Sequence, residues 1–256
     1  MPRLALLAHP AVASAFGREL GRAVEYHERL GSTQTRAREL AAAGGGRGVV
    51  VADEQDAGQG TRGRTWHAAR GTSLLASWIL RPAPAAPALF AALAGVAIAR
   101  ALDALDVPDA RLKWPNDVEL GGRKIAGALA HATSDQSGGV LVLGIGVNVH
   151  QRPEGFPPEL RGSATSLAMA GAAVDRLALL ARLTRELDRI VRADERAAAL
   201  DEWRERSTMI GRPVRVNVSG RAPFSGTATA IADDGALIVH TASGVERVVS
   251  GDVRLA

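Results

Sequence analysis

The chain has 256 residues, 46% hydrophobic and 23% charged, with no cysteine and a formal net charge of +4. That length suits one mid-sized domain plus a small second one. The missing thiols exclude disulfides, zinc–thiolate sites and a cysteine nucleophile, and they agree with the cytoplasmic location expected here. The mild positive charge tolerates a nucleotide or an acidic partner but is no nucleic-acid footprint.

Residues 1–20 carry a short apolar run after Arg3, broken by His9 and Pro10 and followed by no clean cleavage site, so no secretory signal is expected. No stretch reaches the ~18 apolar residues of a membrane span. Residues 34–43 read as a helix that Ser32 or Thr33 could cap and that Gly44-Gly45-Gly46 ends. Val49–Ala52 is a short buried strand, and a Gly/Arg-rich loop follows it. Ser73–Leu80 is the next strand, stopped by Arg81-Pro82. After a Pro/Ala connector, Leu89–Leu105 is a buried, Ala-rich helix. Arg111–Asp117 starts as a strand and ends in a Pro-Asn-Asp turn. Lys124–His131 and Val140–Val149 are strands expected to be neighbours across a turn at 134–139.

From Val174 to about Arg206 the period is helical, with Leu180, Leu183, Leu187 and Ile190 on one face. After Gly211 it changes again. Val214, Val216 and Val218 alternate with polar residues, and short strands at Thr227–Ile231, Ala236–His240 and Val245–Val249 are separated by glycine turns. Four or five such strands indicate a small β-barrel. The expected domains are residues 1–209 and 210–256.

Five constellations could carry chemistry. The loop Gly58-Gln59-Gly60-Thr61-Arg62-Gly63-Arg64-Thr65-Trp66 combines glycines that let a ligand approach the backbone, forked cationic donors and an aromatic face. It is no P-loop, because no Gly-Lys-Ser/Thr closes it; its plainer reading is a flexible basic loop. Lys113-Trp114-Pro115-Asn116-Asp117 ends in a carboxylate that could accept a proton or orient an amine, or is simply a turn with a Trp packed beneath it. Lys124 at a strand start can reach a phosphate or carboxylate, or be a solvated strand-end lysine. Gly127 inside that strand suggests close approach by a ligand or another backbone. Gly144-Ile145-Gly146-Val147-Asn148 places two glycines and a buried amide at the end of an apolar run, which also describes a bulged core strand. Gly31-Ser32-Thr33-Gln34 offers hydroxyls and an amide to a polar head group, or a helix cap. The histidines do not cluster at ligand spacing, and no Gly-x-Ser-x-Gly elbow is present.

Taken in order, Ser-Thr, Gln55 before a Gly/Arg loop ending in Trp66, Lys-Trp-Pro-Asn-Asp, Lys-x-x-Gly-x-Leu and Gly-Ile-Gly-x-Asn resemble the bacterial biotin–protein ligases over roughly residues 28–256. The resemblance implies an α+β fold of the class II synthetase type: a mixed or antiparallel sheet with flanking helices, and an SH3-like C-terminal barrel. It implies that ATP, with Mg²⁺, and biotin form biotinyl-5′-adenylate, whose acyl group passes to a lysine of a biotin carboxyl carrier protein. Carried over residue by residue, it implies biotin contacts from Ser32, Thr33, Gln34, Gln55, Gln59, Gly60, Thr61, Lys124, Gly127 and Gly144. ATP contacts fall to Arg62, Arg64, Trp66, Lys124 and Asn148. Lys124, Arg64 and Asp117 are the candidate catalytic residues, Asp117 assisting the incoming amine. No side chain is assigned to metal.

Two departures stand out. The usual loop reads Gly-Arg-Gly-Arg-x-Gly-Arg-x-Trp; here Gln59 and Thr61 replace the first two arginines, and Ser-Thr-Gln replaces Ser-Thr-Asn. The expectation is that Arg62 or another cation partly replaces the missing charge and that the adenylate is held less tightly. Residues 1–31 show no helix-turn-helix pattern, so a monofunctional ligase without operator binding is expected. No membrane partner is expected, and a homodimer through sheet edges stays open. The alternatives are a lipoate–protein ligase, a nucleic-acid-binding module and a catalytically inactive biotin sensor. The Lys-Trp-Pro-Asn-Asp and Gly-Ile-Gly-x-Asn pairing favours biotin over lipoate. The barrel's lone aromatic, Phe224, is a poor stacking platform for nucleic acid.

Overall fold

The structure, a computed structural model, describes residues 20, 23–84, 86–134 and 138–256. The reading of residues 1–20 as no secretory signal therefore lies, Leu20 apart, outside the described residues, as does the tip of the turn expected at 134–139.

Seven strands form one sheet: β1 (Val24–His27), β2 (Gly48–Ala52), β3 (Ser73–Leu80), β4 (Arg111–Lys113), β5 (Asp117–Leu120), β6 (Arg123–Thr133) and β7 (Val140–Asn148). Their order is β1-β2-β3-β7-β6-β5-β4. Only β1 and β2 run parallel, so the sheet is mixed and the fold is α+β. Among the described residues the helices are α1 (Thr33–Ala42), α2 (Pro87–Asp103), α3 (Arg176–Val191) and α4 (Arg196–Arg206).

The period of two along a strand sorts its residues between the two faces. Val49 and Val51, Leu74, Ala76, Trp78 and Leu80, and Leu141, Leu143, Ile145 and Val147 join the main core with α2 and α3. The alternate residues Val50, Ile79, Val140 and Val142 pack against Ala37 and Ala41 of α1. With layers on both faces, β3 is buried along its whole length, which explains its continuous apolar run. On α3, Leu179, Leu180, Leu183, Leu187 and Ile190 are all buried. Full burial of such side chains stabilises by about 1.5–3 kcal/mol each.

Three expectations are refined. The stretch 111–117 starts as a strand and turns at 114–116 as expected, but Asp117 belongs to the next strand rather than to the turn. Pro115 has no N–H for a ladder, so the chain reverses at 114–116 and Asp117 opens β5, opposite Lys113. The helical region after Val174 is two helices. Arg192 is extended (φ −70°, ψ 137°), and a 3-10 turn at Ala193–Glu195 leads into α4. Finally, Ser32 is the N-cap residue of α1, but its side chain makes no capping bond.

The C-terminal unit is a five-stranded antiparallel sheet: β8 (Pro213–Asn217), β9 (Phe224–Ile231), β10 (Leu237–Thr241), β11 (Gly244–Val248) and β12 (Asp252–Leu255), in the order β11-β10-β9-β8-β12. Val214, Val216, Ala228, Leu237, Val239, Val248 and Val253 fill its interior. It meets the first sheet at the Lys-Trp-Pro-Asn-Asp turn, where the buried Trp114 donates its indole N–H to the Gly235 carbonyl at 2.9 Å. The Arg204 guanidinium donates to the Ile231 carbonyl at 3.0 Å nearby.

A buried ion pair ties β2 to α3. Arg176 donates to Asp53 Oδ1 at 2.7 Å, and the Tyr26 hydroxyl donates to Asp53 Oδ2 at 2.7 Å. Burial, reinforced by the Asp53 carboxylate, pushes the Tyr26 hydroxyl well above the usual phenol range. Asp53 ends the segment from which the Gly/Arg loop departs.

Candidate active site

The face of the sheet turned toward α1 has a bald patch. Gly127 on β6 is paired with Gly146 on β7, and Gly144 lies between Ser77 on β3 and Leu129 on β6. No side chain at these glycines fills the sheet surface, and a cleft of ≈ 490 Å³ opens there. The N-terminal turn of α1 and the Gly/Arg loop wall it. A methyl group at Gly144 would fall 2.3 Å from Gln34 Oε1, and one at Gly146 would fall 2.5 Å from the Trp66 ring. These two glycines are therefore required by close approach.

One end of the cleft is a network of hydroxyls and amides. Gln55 Oε1 accepts from the Thr33 backbone N–H at 2.7 Å and lies 3.0 Å from Thr33 Oγ1. Thr33 Oγ1 lies 2.9 Å from Ser77 Oγ, which lies 3.2 Å from Gln34 Oε1. The Gln34 amide donates to the Val142 carbonyl at 3.1 Å, which fixes its orientation. Two hydroxyl protons serve these three oxygen–oxygen contacts, so the group keeps spare acceptors. It suits a ligand that brings N–H donors. Ser32 Oγ is buried and has no protein partner, an arrangement costly in a folded chain unless a ligand or water completes it.

Lys124 stands at the other end, placed by a β-bulge. The β5–β6 ladder pairs Val118 with Ala126 and Glu119 with Lys124, leaving Ile125 as the extra residue. Residues three apart in a regular strand face opposite sides. The bulge turns Lys124 to the cleft face with Gly127 while Ile125 enters the core. Lys124 Nζ donates to Asp117 Oδ1 at 2.5 Å and stands 5.7 Å from the centre of the Trp66 ring, within cation–π range.

The loop is ordered across the cleft mouth. Trp66 N–H donates to the Gly58 carbonyl at 3.0 Å, Gly60 N–H to the Arg64 carbonyl at 2.7 Å, and Gln59 Nε2 to Thr35 Oγ1 at 3.1 Å. Arg62 takes the left-handed conformation (φ 58°), which costs an L-residue about 1–2 kcal/mol. Its guanidinium stands 3.8 Å from Asp252 of β12.

Ser32, Thr33, Gln34, Gln55, Gln59, Gly60, Thr61, Trp66, Lys124, Gly127 and Gly144 all line this cleft. Asp117 touches it through Lys124. Arg62, Arg64 and Asn148 do not line it: Arg62 faces the C-terminal sheet, Arg64 is exposed, and Asn148 is buried at the end of β7. The Asn148 amide donates to the Thr165 carbonyl at 3.0 Å, and its Oδ1 has no protein partner. Sequence reasoning missed Leu75, Ser77, Asn116, Ala128, Leu129, Ile145 and Gly146, which also line the cleft. For Ser77 a signal existed: it is a hydroxyl inside an apolar strand, and buried polar groups need partners. Gly146 and Asn116 stood inside recognised motifs without a role.

Among the described residues, no group of three or more His, Asp or Glu side chains is arranged to hold a metal ion, and no helix is long and apolar enough to cross a membrane.

The chain matches the Biotin/lipoate A/B protein ligase family over residues 26–148 and the Biotin protein ligase C terminal domain over residues 209–255. It is 33% identical over 247 residues to the bifunctional ligase/repressor BirA of Bacillus subtilis, covering 92% of this chain and 75% of that one. Identity to the biotin–[acetyl-CoA-carboxylase] ligase of Mycobacterium tuberculosis is 37% over 216 residues, covering 80% of this chain and 77% of the other. Among solved structures, the biotin protein ligase from Aquifex aeolicus in complex with biotin and ATP aligns with a TM-score of 0.74 at 24% identity, across 91% of this chain and 99% of that one. The biotin protein ligase from Leishmania major in complex with biotinyl-5-AMP gives 0.61 at 27% identity, across 88% and 98%. Together with the cleft and its polar and cationic ends, these matches assign the chain to the biotin protein ligase family.

Proposed function

We propose that this chain is an ATP-dependent biotin protein ligase that forms biotinyl-5′-adenylate and transfers biotin to one lysine of a biotin carboxyl carrier protein. The observation that carries the reading is the cleft's polarity: a hydroxyl–amide network at one end, a glycine floor, and a lysine at the other. The ureido ring brings two N–H donors and one carbonyl acceptor, which complement the spare acceptors around Thr33 and Ser77 and the unpartnered Ser32 hydroxyl. The apolar chain of biotin spans the cleft from Gln34 toward Lys124, beside the Trp66 ring that packs on Gly146. Its carboxylate then reaches Lys124.

In the first step a biotin carboxylate oxygen attacks the α-phosphorus of ATP and pyrophosphate leaves. Lys124 binds both reacting anions, and its charge offsets the negative charge that develops on the α-phosphate. The adenine stacks on Trp66, and the free Asn148 Oδ1 accepts from its exocyclic amine. Arg64 supplies a cation for the phosphates, whereas Arg62 stands at Asp252. Mg²⁺ would come bound to the triphosphate and would add to the neutralisation of its charge; no described side-chain group is arranged to hold it alone. In the second step the carrier lysine attacks the acyl carbon and AMP leaves. Asp117 releases Lys124 and takes the proton of the incoming amine. The loop 58–66 excludes water from an acyl-adenylate that would otherwise hydrolyse.

Residues 1–209 carry this chemistry and residues 210–256 form the accessory unit. The reaction belongs in the cytoplasm, where ATP and carrier are available. A homodimer would pair through the sheet edge at β1, since β4 is already bridged to Ser207. Biotin-dependent release of pyrophosphate from ATP tests the assignment. Release that follows lipoate instead of biotin, or biotin binding without turnover, overturns it.

A further inference from the structure

We infer that Asp252 of the C-terminal sheet is a positioning residue that latches the loop 58–66 shut through Arg62. The inference rests on the biotin ligase reading for its purpose, though not for its physics. Arg62 is flanked by Thr61, which lines the cleft, and by Gly63, also at positive φ (71°). The left-handed turn at Arg62 aims its side chain away from the cleft. The guanidinium comes to 3.8 Å from Asp252 Oδ1, while Arg254 holds the other carboxylate oxygen at 2.9 Å. One carboxylate thus bridges the loop and β12.

The loop needs such a tether. Apart from the cation–π approach of Lys124 to Trp66, its own grip on the catalytic domain is neutral: Gln59 donates to Thr35, and the remaining loop hydrogen bonds are internal. Gln59 and Thr61 are uncharged, so they form no ion pair with a bound acyl-phosphate. A loop that cannot be held shut by its ligand's charge can be held by another part of the protein. Arg62 is the loop cation placed to do this, since Arg64 is exposed and has no side-chain ion pair with any described residue. Asp252 is about one-third exposed (35%) and Arg62 39%, so the pair is worth what partly solvated pairs are worth, about a two- to fivefold effect on opening.

Amide hydrogen exchange across residues 58–66, measured on the full chain without ligand, reads the latch directly. Asp252→Asn is expected to speed exchange of this segment about two- to fivefold and to leave the strands of the first sheet unchanged. Arg62→Gln should do the same, and the double variant no more than either single one. The reversed pair, Arg62→Asp with Asp252→Arg, should restore slow exchange. Loop exchange that is unchanged in Asp252→Asn, or effects that simply add in the double variant, overturns the latch, because Asp252 would then act only on Arg254. Dissociation of preformed adenylate is the second readout. It should accelerate by the same factor in Asp252→Asn and lose its dependence on salt. If the wild-type chain makes no adenylate, the functional reading fails and the exchange result still decides the latch.

Discussion

Lys124 reaches the cleft only because Ile125 is the extra residue of a bulge, and Gly144 is bare only because the Gln34 amide needs the space. Each makes a sharp test. Lys124→Gln is expected to lower adenylate formation about 10²–10³-fold by removing a preorganised cation. The side chain is 35% exposed, so the melting temperature should barely move. Single-turnover kinetics beside a thermal melt separates the two effects. Gly144→Ala drives a methyl group into Gln34 Oε1, which cannot swing away without losing its bond to Val142. Biotin affinity by calorimetry should fall about tenfold or more, some 1.4 kcal/mol. An unchanged affinity would mean that Gln34 moves freely and reads nothing. The chemistry-bearing residues were legible because the glycines and Lys124 violate what a plain strand would carry. Ser77 was not assigned, since only the register places it beside Gly144 and Gln34.

At the scale of elements, the loop 58–66 and the segment that feeds it respond to different forces. The loop is short of charge. Thr61→Arg should restore a charge-assisted bond to the adenylate, worth about 1.5–3 kcal/mol, and so slow adenylate release roughly 10- to 100-fold. Release measured by trapping free adenylate checks this, and no slowing would show that position 61 does not face the phosphate. The feeding segment depends instead on the Arg176–Asp53 pair, with side chains 7% and 1% exposed. Arg176→Met strands a buried carboxylate and should cost about 3–5 kcal/mol in chemical denaturation. This pair was invisible in the sequence, since its partners are 123 residues apart and neither belongs to a motif. Strand β1 was also unread, because four half-buried residues show no alternation. By contrast, α3 was legible from Leu180, Leu183, Leu187 and Ile190, whose spacing matches their burial.

For the whole molecule, stability should fall on the acid side in two stages. Burial, with Arg38 nearby, holds the His131 imidazole below its ordinary pKa of 6.5. Folding therefore favours neutral His131. Its contribution is complete above pH 6.5 and is lost as pH falls below that value. The Arg36 hydrogen bond holds Glu25 below its ordinary 4.5, so that contribution is present above pH 4.5 and lost as pH falls further. Melting temperatures from pH 8 to pH 3 should show both. Burial also lowers the pKa of His150, which shares the first step, so His131→Gln should shrink that step and leave the second unchanged. The division into two sheets was legible from the switch between periods near Gly211. What the sequence could not convey was how the two sheets touch. Trp114, read as a residue packed under a turn, is pinned to Gly235 across the boundary. This contact has a practical consequence for anyone dividing the protein. A fragment ending at residue 209 would expose an indole and the apolar surface around it beside Asp117. It should aggregate on expression, and adding residues 210–256 as a separate peptide should rescue it poorly, because the two pieces fold around a shared side chain.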